Sequence, residues 1–245
     1  MSGVFISKGM RVAVPEGGLQ IWEDSTGALK GSLKLQVHFD VVPTWIELAL
    51  GHLSDAKGDS VARAKAWADN LEEEKATTLE REFRSSMQAI MSSAIALDAF
   101  YAALRERVKI DPALRARWRA NGTARYRQLT EVIRVAFSLK PKGAGVLRDN
   151  LREIFKLRDL AVHPDATLKD PMLHPELGVG VEWRFYYFRF EQALAVVRCA
   201  VRMIHELVTS GKPTNPAVQE YAATLKPLFD VFKDSEVLSE NARMH

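Results

Sequence analysis

The chain has 245 residues, of which 47% are hydrophobic and 27% charged, and its formal net charge is +3. These values are typical of a soluble globular protein long enough to bury a sizeable core. The mild positive charge permits an anionic partner without requiring one. Cys199 is the single cysteine, which excludes an internal disulfide framework and a cysteine-based zinc site.

The N-terminal residues lack the apolar core and cleavage region of a signal peptide. No stretch approaches the roughly 18 apolar residues that a membrane span needs. We therefore expect a cytoplasmic protein with no membrane partner.

The first forty residues predict β structure, in a region that we place at 1–41. Short apolar or alternating runs predict strands at 3–6, 10–14, 19–22 and 33–39. Glycine-rich turn sequences at 15–18 and 25–27 separate some of them. The sequence therefore predicts a small antiparallel sheet, which must pack on the helical remainder of the chain because it is too small to be stable alone.

From residue 42 onward the pattern is helical. We predict connecting helices over 42–78, a helical bundle over 79–233 and a loose polar tail over 234–245. The connecting helices are predicted at 44–53 and, after a cap at 58–60, through residue 75. A long helix from about 79 to 108 is apolar nearly all round in its middle, which indicates a central buried position. Further elements are predicted as helices at 112–119, 123–139, 146–162, 191–207 and 216–232, the last bent or broken at Pro227, and as a strand at 181–188.

Residues 146–164 carry the clearest functional pattern. Arg158 falls on the apolar stripe of a predicted helix, although a guanidinium leaves water only when it is paired or lines a cleft. Asp159 and His163 are neighbours on the helix surface because they are four residues apart, and Pro164 is predicted to stop the helix. The apolar stripe itself consists of Leu147, Leu151, Ile154, Phe155 and Val162.

The run Arg158-Asp159-Leu160-Ala161-Val162-His163 resembles the motif of the HEPN superfamily of small α-helical domains. In that motif an arginine and a histidine are separated by four to six residues, often with a polar residue directly after the arginine. Residues 89–104, with the single acidic residue Asp98, resemble the family's buried first helix, and 181–185 followed by 191–207 resemble its final elements. The resemblance covers about residues 80–211 and implies a mainly α, up-and-down helical bundle of HEPN type, here with a small N-terminal antiparallel β-sheet.

Enzymes of this superfamily are metal-independent ribonucleases, so the resemblance implies an endoribonuclease of the toxin or defence-effector kind that needs no cofactor and no metal. Histidine can act as base or acid near neutral pH, which suits His163. The guanidinium of Arg158 matches phosphate oxygens, and Asp159 could orient the imidazole. The alternative is structural: Arg158 bonds groups inside the bundle, and His163 favours the negative end of a helix dipole.

Five residues along a helix rotate by about 140° and rise about 7.5 Å, so Arg158 and His163 do not share a face of a regular helix. They can converge on one phosphate if the helix unwinds near His163, or if a second copy of the chain completes the site. The resemblance favours the second route, because family members commonly form twofold dimers. We therefore predict a homodimer, with RNA as the substrate.

Asp98 is the only charged residue between positions 88 and 105. A carboxylate in an apolar setting needs a partner, so we predict an ion pair or hydrogen bond with Arg158 or another motif residue. The alternative is a position at a helix edge facing solvent.

Weaker substrate-binding candidates are Lys142, Arg148, His174 and Arg184. The two basic residues near the motif helix, and the arginine beside the aromatic run, could contact phosphates, while a loop histidine is more often simply solvated. A non-catalytic helical module for dimerisation or for nucleotide or partner binding would fit the same residues. The two readings therefore remain open at the level of sequence.

Overall fold

The computed structural model describes residues 4–7, 9–163 and 169–238. Strands β1, β2 and β5 form one antiparallel sheet, and β3 pairs with β4 in a separate antiparallel hairpin. The predicted small antiparallel structure at the N-terminus is therefore confirmed, although the run predicted as one strand at 33–39 is divided between β4 and β5. The strands are β1 (Val4–Ser7), β2 (Met10–Ala13), β3 (Leu19–Glu23), β4 (Leu29–Leu33) and β5 (Gln36–Phe39).

The alternating apolar residues of the run 33–39 are not buried. Leu33, Leu35, Val37 and Phe39 are 59, 57, 58 and 54% exposed. Strand β2 is better covered, since Ala13 is only 5% exposed. The apolar residues of this run therefore lie on the surface, whereas the end of β2 is buried.

Helix α1 (Val42–Ala68) and helix α2 (Glu72–Arg107) form a long antiparallel hairpin. The predicted break at 54–58 is wrong, because α1 continues through Gly58. A helical glycine costs only about 1 kcal/mol relative to alanine, which the packing along α2 offsets. The chain turns instead at Asn70, whose φ of 54° is left-handed, so the predicted third helix beginning near 79 is part of α2.

The next helices are α3 (Pro112–Ala120), α4 (Arg125–Ala136) and α5 (Pro141–Val162). The Asp111 carboxylate caps α3 by accepting the N–H of Ala113 at 2.9 Å. Residues 141–145, predicted as a loop, form the first turn of α5 instead, because proline is well tolerated at the start of a helix.

The C-terminal part contains the short strands β6 (Met172–Leu173) and β7 (Gly180–Val181), followed by α6 (Trp183–Tyr187), α7 (Phe190–Ser210) and α8 (Pro216–Lys233). The strand predicted at 181–188 is wrong, because the Glu182 carboxylate accepts the N–H of Arg184 at 2.9 Å and begins α6. Gly211 ends α7 as predicted. Pro227 lies inside α8 without ending it.

The tail is only partly loose. Residues Glu236–Leu238 form a 3-10 turn, and the Leu238 carbonyl accepts a hydrogen bond of 2.9 Å from Arg198. Leu238 is 5% exposed, so this part of the tail packs on the bundle. The remainder of the predicted tail, 239–245, lies outside the described residues.

Helix α2 lies at the centre of the bundle and contacts α1, α4, α5 and α7. Phe100 of α2 stacks with Phe137 and Tyr221, with ring centroids 6.4 and 6.0 Å apart. By length and composition α2 could cross a membrane, but 56% of its apolar window is buried inside the protein. A core helix of a bundle has the same properties.

Candidate functional site

Helix α5 carries the motif residues at its C-terminal end. Leu147, Leu151, Ile154 and Phe155 are buried as predicted, and Leu157 joins them. Val162 was predicted to lie on the same buried stripe, but it is 41% exposed. The last turn of α5 therefore extends past the core and presents an apolar side chain to solvent beside the motif.

Arg158 lies at the boundary between core and solvent, with 27% of its side chain exposed. Its guanidinium carbon is 5.2 Å from the centre of the Phe155 ring, a distance that permits a cation–π contact. Its Nε atom is 3.2 Å from the Asp159 carboxylate, as an ion pair without hydrogen-bond geometry. The arginine is therefore held along the flank of its own helix.

His163 is exposed and is the first residue beyond α5. Its N–H donates to the Asp159 carbonyl at 2.9 Å, so the helix stays regular up to the histidine and does not unwind before it. The Asp159 carboxylate pairs with Arg158 and not with the imidazole, contrary to the predicted orienting contact. On the helical wheel of α5, the positions of Arg158 and His163 therefore lie about 140° apart. Pro164, predicted to stop the helix, lies outside the described residues.

Three basic residues form an exposed row on the same face of α5 as His163. Arg148, Arg152 and Lys156 are spaced four residues apart and are all exposed, so they follow one another along the helix surface. Arg148 and Arg152 reach only their neighbouring carboxylates, at 3.4 and 3.3 Å. We call these three residues the basic row; it leads towards His163. Of these three residues, only Arg148 was predicted from the sequence as a substrate contact. The four-residue spacing that also places Arg152 and Lys156 on this face is visible in the sequence.

Asp98 does not contact the motif. Its carboxylate pairs with the Nε atom of Arg125 on α4 at 2.6 Å, and 33% of its side chain is exposed. The predicted pair with Arg158 or another motif residue is therefore wrong. The guanidinium of Arg125 also lies 4.3 Å from the centre of the Tyr101 ring, so this pair joins α2 to α4.

The remaining candidates lie in different settings. Lys142 is exposed in the first turn of α5. Arg184 belongs to α6, where it is 3.2 Å from the Glu182 carboxylate and 4.9 Å from the centre of the Trp183 ring. His174 is fully buried at 0% exposure, so the expectation of a solvated loop histidine is wrong.

His174 belongs to a polar group that the sequence did not indicate, which we call the carboxylate cluster: Arg63, Glu82, His174, Glu176 and Glu191. Arg63 of α1 is fully buried and pairs with Glu82 of α2 and with Glu176 of the β6–β7 connection. Glu82 also accepts the backbone N–H of Phe190, at the start of α7, at 3.0 Å. The Nδ1 atom of His174 accepts the N–H of Glu176 at 3.3 Å.

Burial and charge shift the titration of this cluster. Burial, followed by the Arg63 charge, lowers the pKa of His174 to about 4. Burial raises the pKa of Glu82 above its ordinary value although Arg63 opposes the change. Burial and then the hydrogen bond with Glu176 raise the pKa of Glu191 to about 7. Glu191 is exposed as a residue, so its contact with the second carboxyl is the firmer of these two causes.

The pKa values of the two carboxyl groups shift in opposite directions. The pKa of Glu176 is lowered: burial would raise it, but hydrogen bonds from Arg63 and Glu191 outweigh that effect. Below about pH 7 Glu191 is therefore mostly protonated and can donate to the Glu176 carboxylate. The cluster joins α1, α2 and α7 to the connection between β6 and β7. Its members are spread over positions 63 to 191, so no local sequence pattern could indicate it.

Among the described residues, no three histidine, cysteine, aspartate or glutamate side chains are grouped as a metal site requires. No protein-family model, curated protein or solved structure matches this chain.

Proposed function

We propose that this protein is a metal-independent endoribonuclease of HEPN type that cleaves RNA at the end of α5 in a homodimer. The observation that carries the proposal is the basic row, which lies on the same exposed helix face as His163. Such a row can hold successive phosphates of a nucleic-acid backbone. The imidazole at its end is exposed and can reach a substrate. The resemblance of Arg158 and His163 to the family motif supports the same reading.

The chemistry needs no metal. A base removes the proton of a ribose 2′-hydroxyl, the 2′-oxygen attacks the adjacent phosphorus, and an acid gives a proton to the departing 5′-oxygen. The products are a 2′,3′-cyclic phosphate and a 5′-hydroxyl end. Histidine can fill either role, and a cleft between two copies would contain two His163 side chains. The guanidinium of Arg158 would stabilise the charge on the phosphorane.

A twofold pair is needed because α5 is regular up to His163. One chain directs its Arg158 and its His163 to different sides, so the arginine of a second copy must face the histidine of the first. The exposed Val162 between them fits a subunit contact. We expect a dimer by sedimentation at micromolar concentration, and we expect Val162→Asp to dissociate it. Val231→Asp is the matched control, because Val231 is 66% exposed on α8. A native chain that sediments as a monomer would argue against the shared cleft.

Cleavage is tested with single-stranded RNA in buffer containing EDTA. We expect native protein to produce 5′-hydroxyl ends, and His163→Ala to lower the rate by about 10²- to 10⁴-fold, as loss of a general acid or base does. His52→Ala is the control, since His52 is a partly exposed histidine on α1. Cleavage that survives His163→Ala, or that stops in EDTA, would contradict the proposal.

Binding is tested separately with the double variant Arg152→Glu and Lys156→Glu. We expect weaker RNA binding and a smaller salt dependence, because fewer counterions are released. The control is Arg117→Glu, an exposed arginine on α3. Equal losses in both variants would mean that the basic row is not the RNA path.

The second candidate is a non-catalytic module for dimerisation or for nucleotide or partner binding. The packing of Arg158 against Phe155 and Asp159 favours it, because that arrangement suits a structural arginine. A native dimer that does not cleave RNA would support this reading.

A further inference from the structure

A cavity of about 700 Å³ lies between the N-terminal sheet and the bundle, and none of its lining residues is used in the proposed cleavage. Strands β2 and β5 form one wall, and α2 and α8 form the other. This volume lies in the range of small-molecule sites, about 300 to 1,000 Å³. The question is which ligand chemistry its lining would accept.

Small side chains keep the cavity open on the bundle side. Helix α2 presents Ala99, Ala102 and Ala103 to it, and α8 adds Leu225 and Leu228. Larger residues at the alanine positions would fill the space. This wall is apolar, so it can cover the hydrocarbon body of a ligand.

The polar end of the cavity is formed by Asp40 and Tyr221. The Oδ1 atom of Asp40 accepts the N–H of Val42 at 2.9 Å. The Oδ2 atom of Asp40 and the hydroxyl of Tyr221 are buried and interact with each other, although neither has a partner in good hydrogen-bond geometry among the described residues. A carboxylate has about four acceptor sites, so Asp40 can accept a further hydrogen bond from a ligand at this end of the cavity.

The cations that line the cavity are already engaged. Arg11 pairs with Glu220 at 2.6 Å. The guanidinium of Arg107 lies 4.3 Å from the centre of the Tyr221 ring, and it donates to the Ala103 carbonyl at 2.6 Å. The site therefore offers hydrogen-bond acceptors to a ligand more than it offers donors.

We propose that the cavity binds a small organic cation, whose protonated amine or amidinium donates to Asp40 and Tyr221 and whose apolar body lies on the alanine wall of α2. The carboxylate supplies a charge-assisted hydrogen bond. Burial raises the pKa of the Asp40 carboxyl more than the nearby Tyr221 hydroxyl and the Arg107 charge lower it, and a bound cation would stabilise the ionised form. This site is independent of the proposed RNA cleavage.

The test uses two probes of the same size and shape but opposite charge, benzamidine and benzoate. Binding is measured by saturation-transfer NMR and by the shift in melting temperature. We expect benzamidine to bind at about millimolar affinity, which is normal for a ligand of this size, and benzoate to bind at least about tenfold more weakly. Equal binding of both, or no benzamidine binding up to about ten times that concentration, would overturn the proposal.

Three variants then locate the site. Asp40→Asn keeps an acceptor for Val42 but removes the charge, and it should weaken benzamidine binding at least about tenfold. Ala102→Phe and Ala103→Leu should each abolish binding by filling the cavity. Ala223→Leu is the control, because Ala223 is exposed on α8. Circular dichroism identifies the variants that fold. Benzamidine binding unchanged in folded cavity variants would place the probe elsewhere and refute the assignment.

Discussion

Replacing Arg63 by methionine tests whether the carboxylate cluster is held together by its buried ion pairs. The Arg63 side chain is 0% exposed and that of Glu82 is 2% exposed, so neither charge has water to replace its partner. Methionine fills similar space without charge. Breaking a buried pair by removing one partner typically costs about 3–5 kcal/mol.

The burial of the two carboxylates that pair with Arg63 determines how this loss of stability depends on pH. Without Arg63, the least costly response of Glu82 is to take up a proton, since it would keep only the Phe190 N–H as a partner. Its ordinary pKa is 4.5, so protonation at pH 7 costs about 3.4 kcal/mol and at pH 5 about 0.7 kcal/mol. Glu176 contributes less, because 26% of its side chain is exposed and water can solvate it. We therefore expect Arg63→Met to lose about 3–5 kcal/mol at pH 7 and clearly less at pH 5.

Urea unfolding followed by circular dichroism, at pH 5 and pH 7, measures both values. Adding Glu82→Gln to Arg63→Met should restore about 2 kcal/mol or more at pH 7, because glutamine keeps an acceptor for Phe190 without a buried charge. Arg84→Met is the control: Arg84 is 61% exposed and pairs at 2.9 Å with Glu80, which is 63% exposed, so its loss should cost about 0–1 kcal/mol. A loss below about 1 kcal/mol for Arg63→Met, or one independent of pH, would refute the reasoning.

Three further changes give distinct results. Burial and its carboxyl neighbour raise the pKa of Glu191 to about 7, so its stabilising contribution is complete below about pH 4.5 and is lost as the pH rises through 7. As the pH rises from 5 to 8, the melting temperature of Glu191→Gln should accordingly increase relative to that of the native protein. A difference that stays constant would contradict the raised pKa of Glu191. His174 has the opposite sign: its pKa is lowered from 6.5 to about 4, so its contribution is complete above pH 6.5 and is lost as the pH falls towards 4. The full loss is about 3 kcal/mol, and His174→Asn should remove this part of the pH dependence of urea unfolding, whereas an unchanged profile would assign it to other groups. Gly9 has a φ of 73°, and a Cβ there would lie 2.3 Å from the backbone oxygen of Asp40. Gly9→Ala should therefore lower the melting temperature more than Gly17→Ala, because Gly17 has a similar φ of 69° but open space around it. Equal effects of the two variants would mean that backbone strain alone, and not the contact with Asp40, causes the loss.

The helical part of the fold was largely readable from sequence because its periodicity is local. The end of α7 at Gly211 and the capped start of α3 at Asp111 follow from residues within one turn of each boundary. The errors arose where a local signal met a tertiary one. Gly58 resembled a boundary, but packing of α1 along α2 carried the helix through it. The aromatic residues at 183–188 suggested a strand, but the cap at Glu182 produced a helix.

The candidate site also has features that the sequence predicts and features that it does not. The exposed end of α5 was predictable, because Arg158, Asp159 and His163 are placed by helical geometry alone. The partner of Asp98 was not, since Arg125 lies 27 residues away on another helix. Sequence patterning also cannot tell which face of a terminal turn extends past the core, so the exposure of Val162 became visible only in the fold.

The geometry of α5 links the proposed chemistry to the proposed assembly. In a single chain, a phosphate could contact the basic row and the imidazole of His163. Arg158 of the same chain lies on the flank of the helix against Phe155. A second copy would have to bring its own arginine to that imidazole, so Val162→Asp should abolish cleavage together with dimerisation. A monomeric Val162→Asp protein that still cleaves RNA would show that His163 acts without the arginine of a partner. The composite cleft would then be wrong, while the role of the histidine would stand.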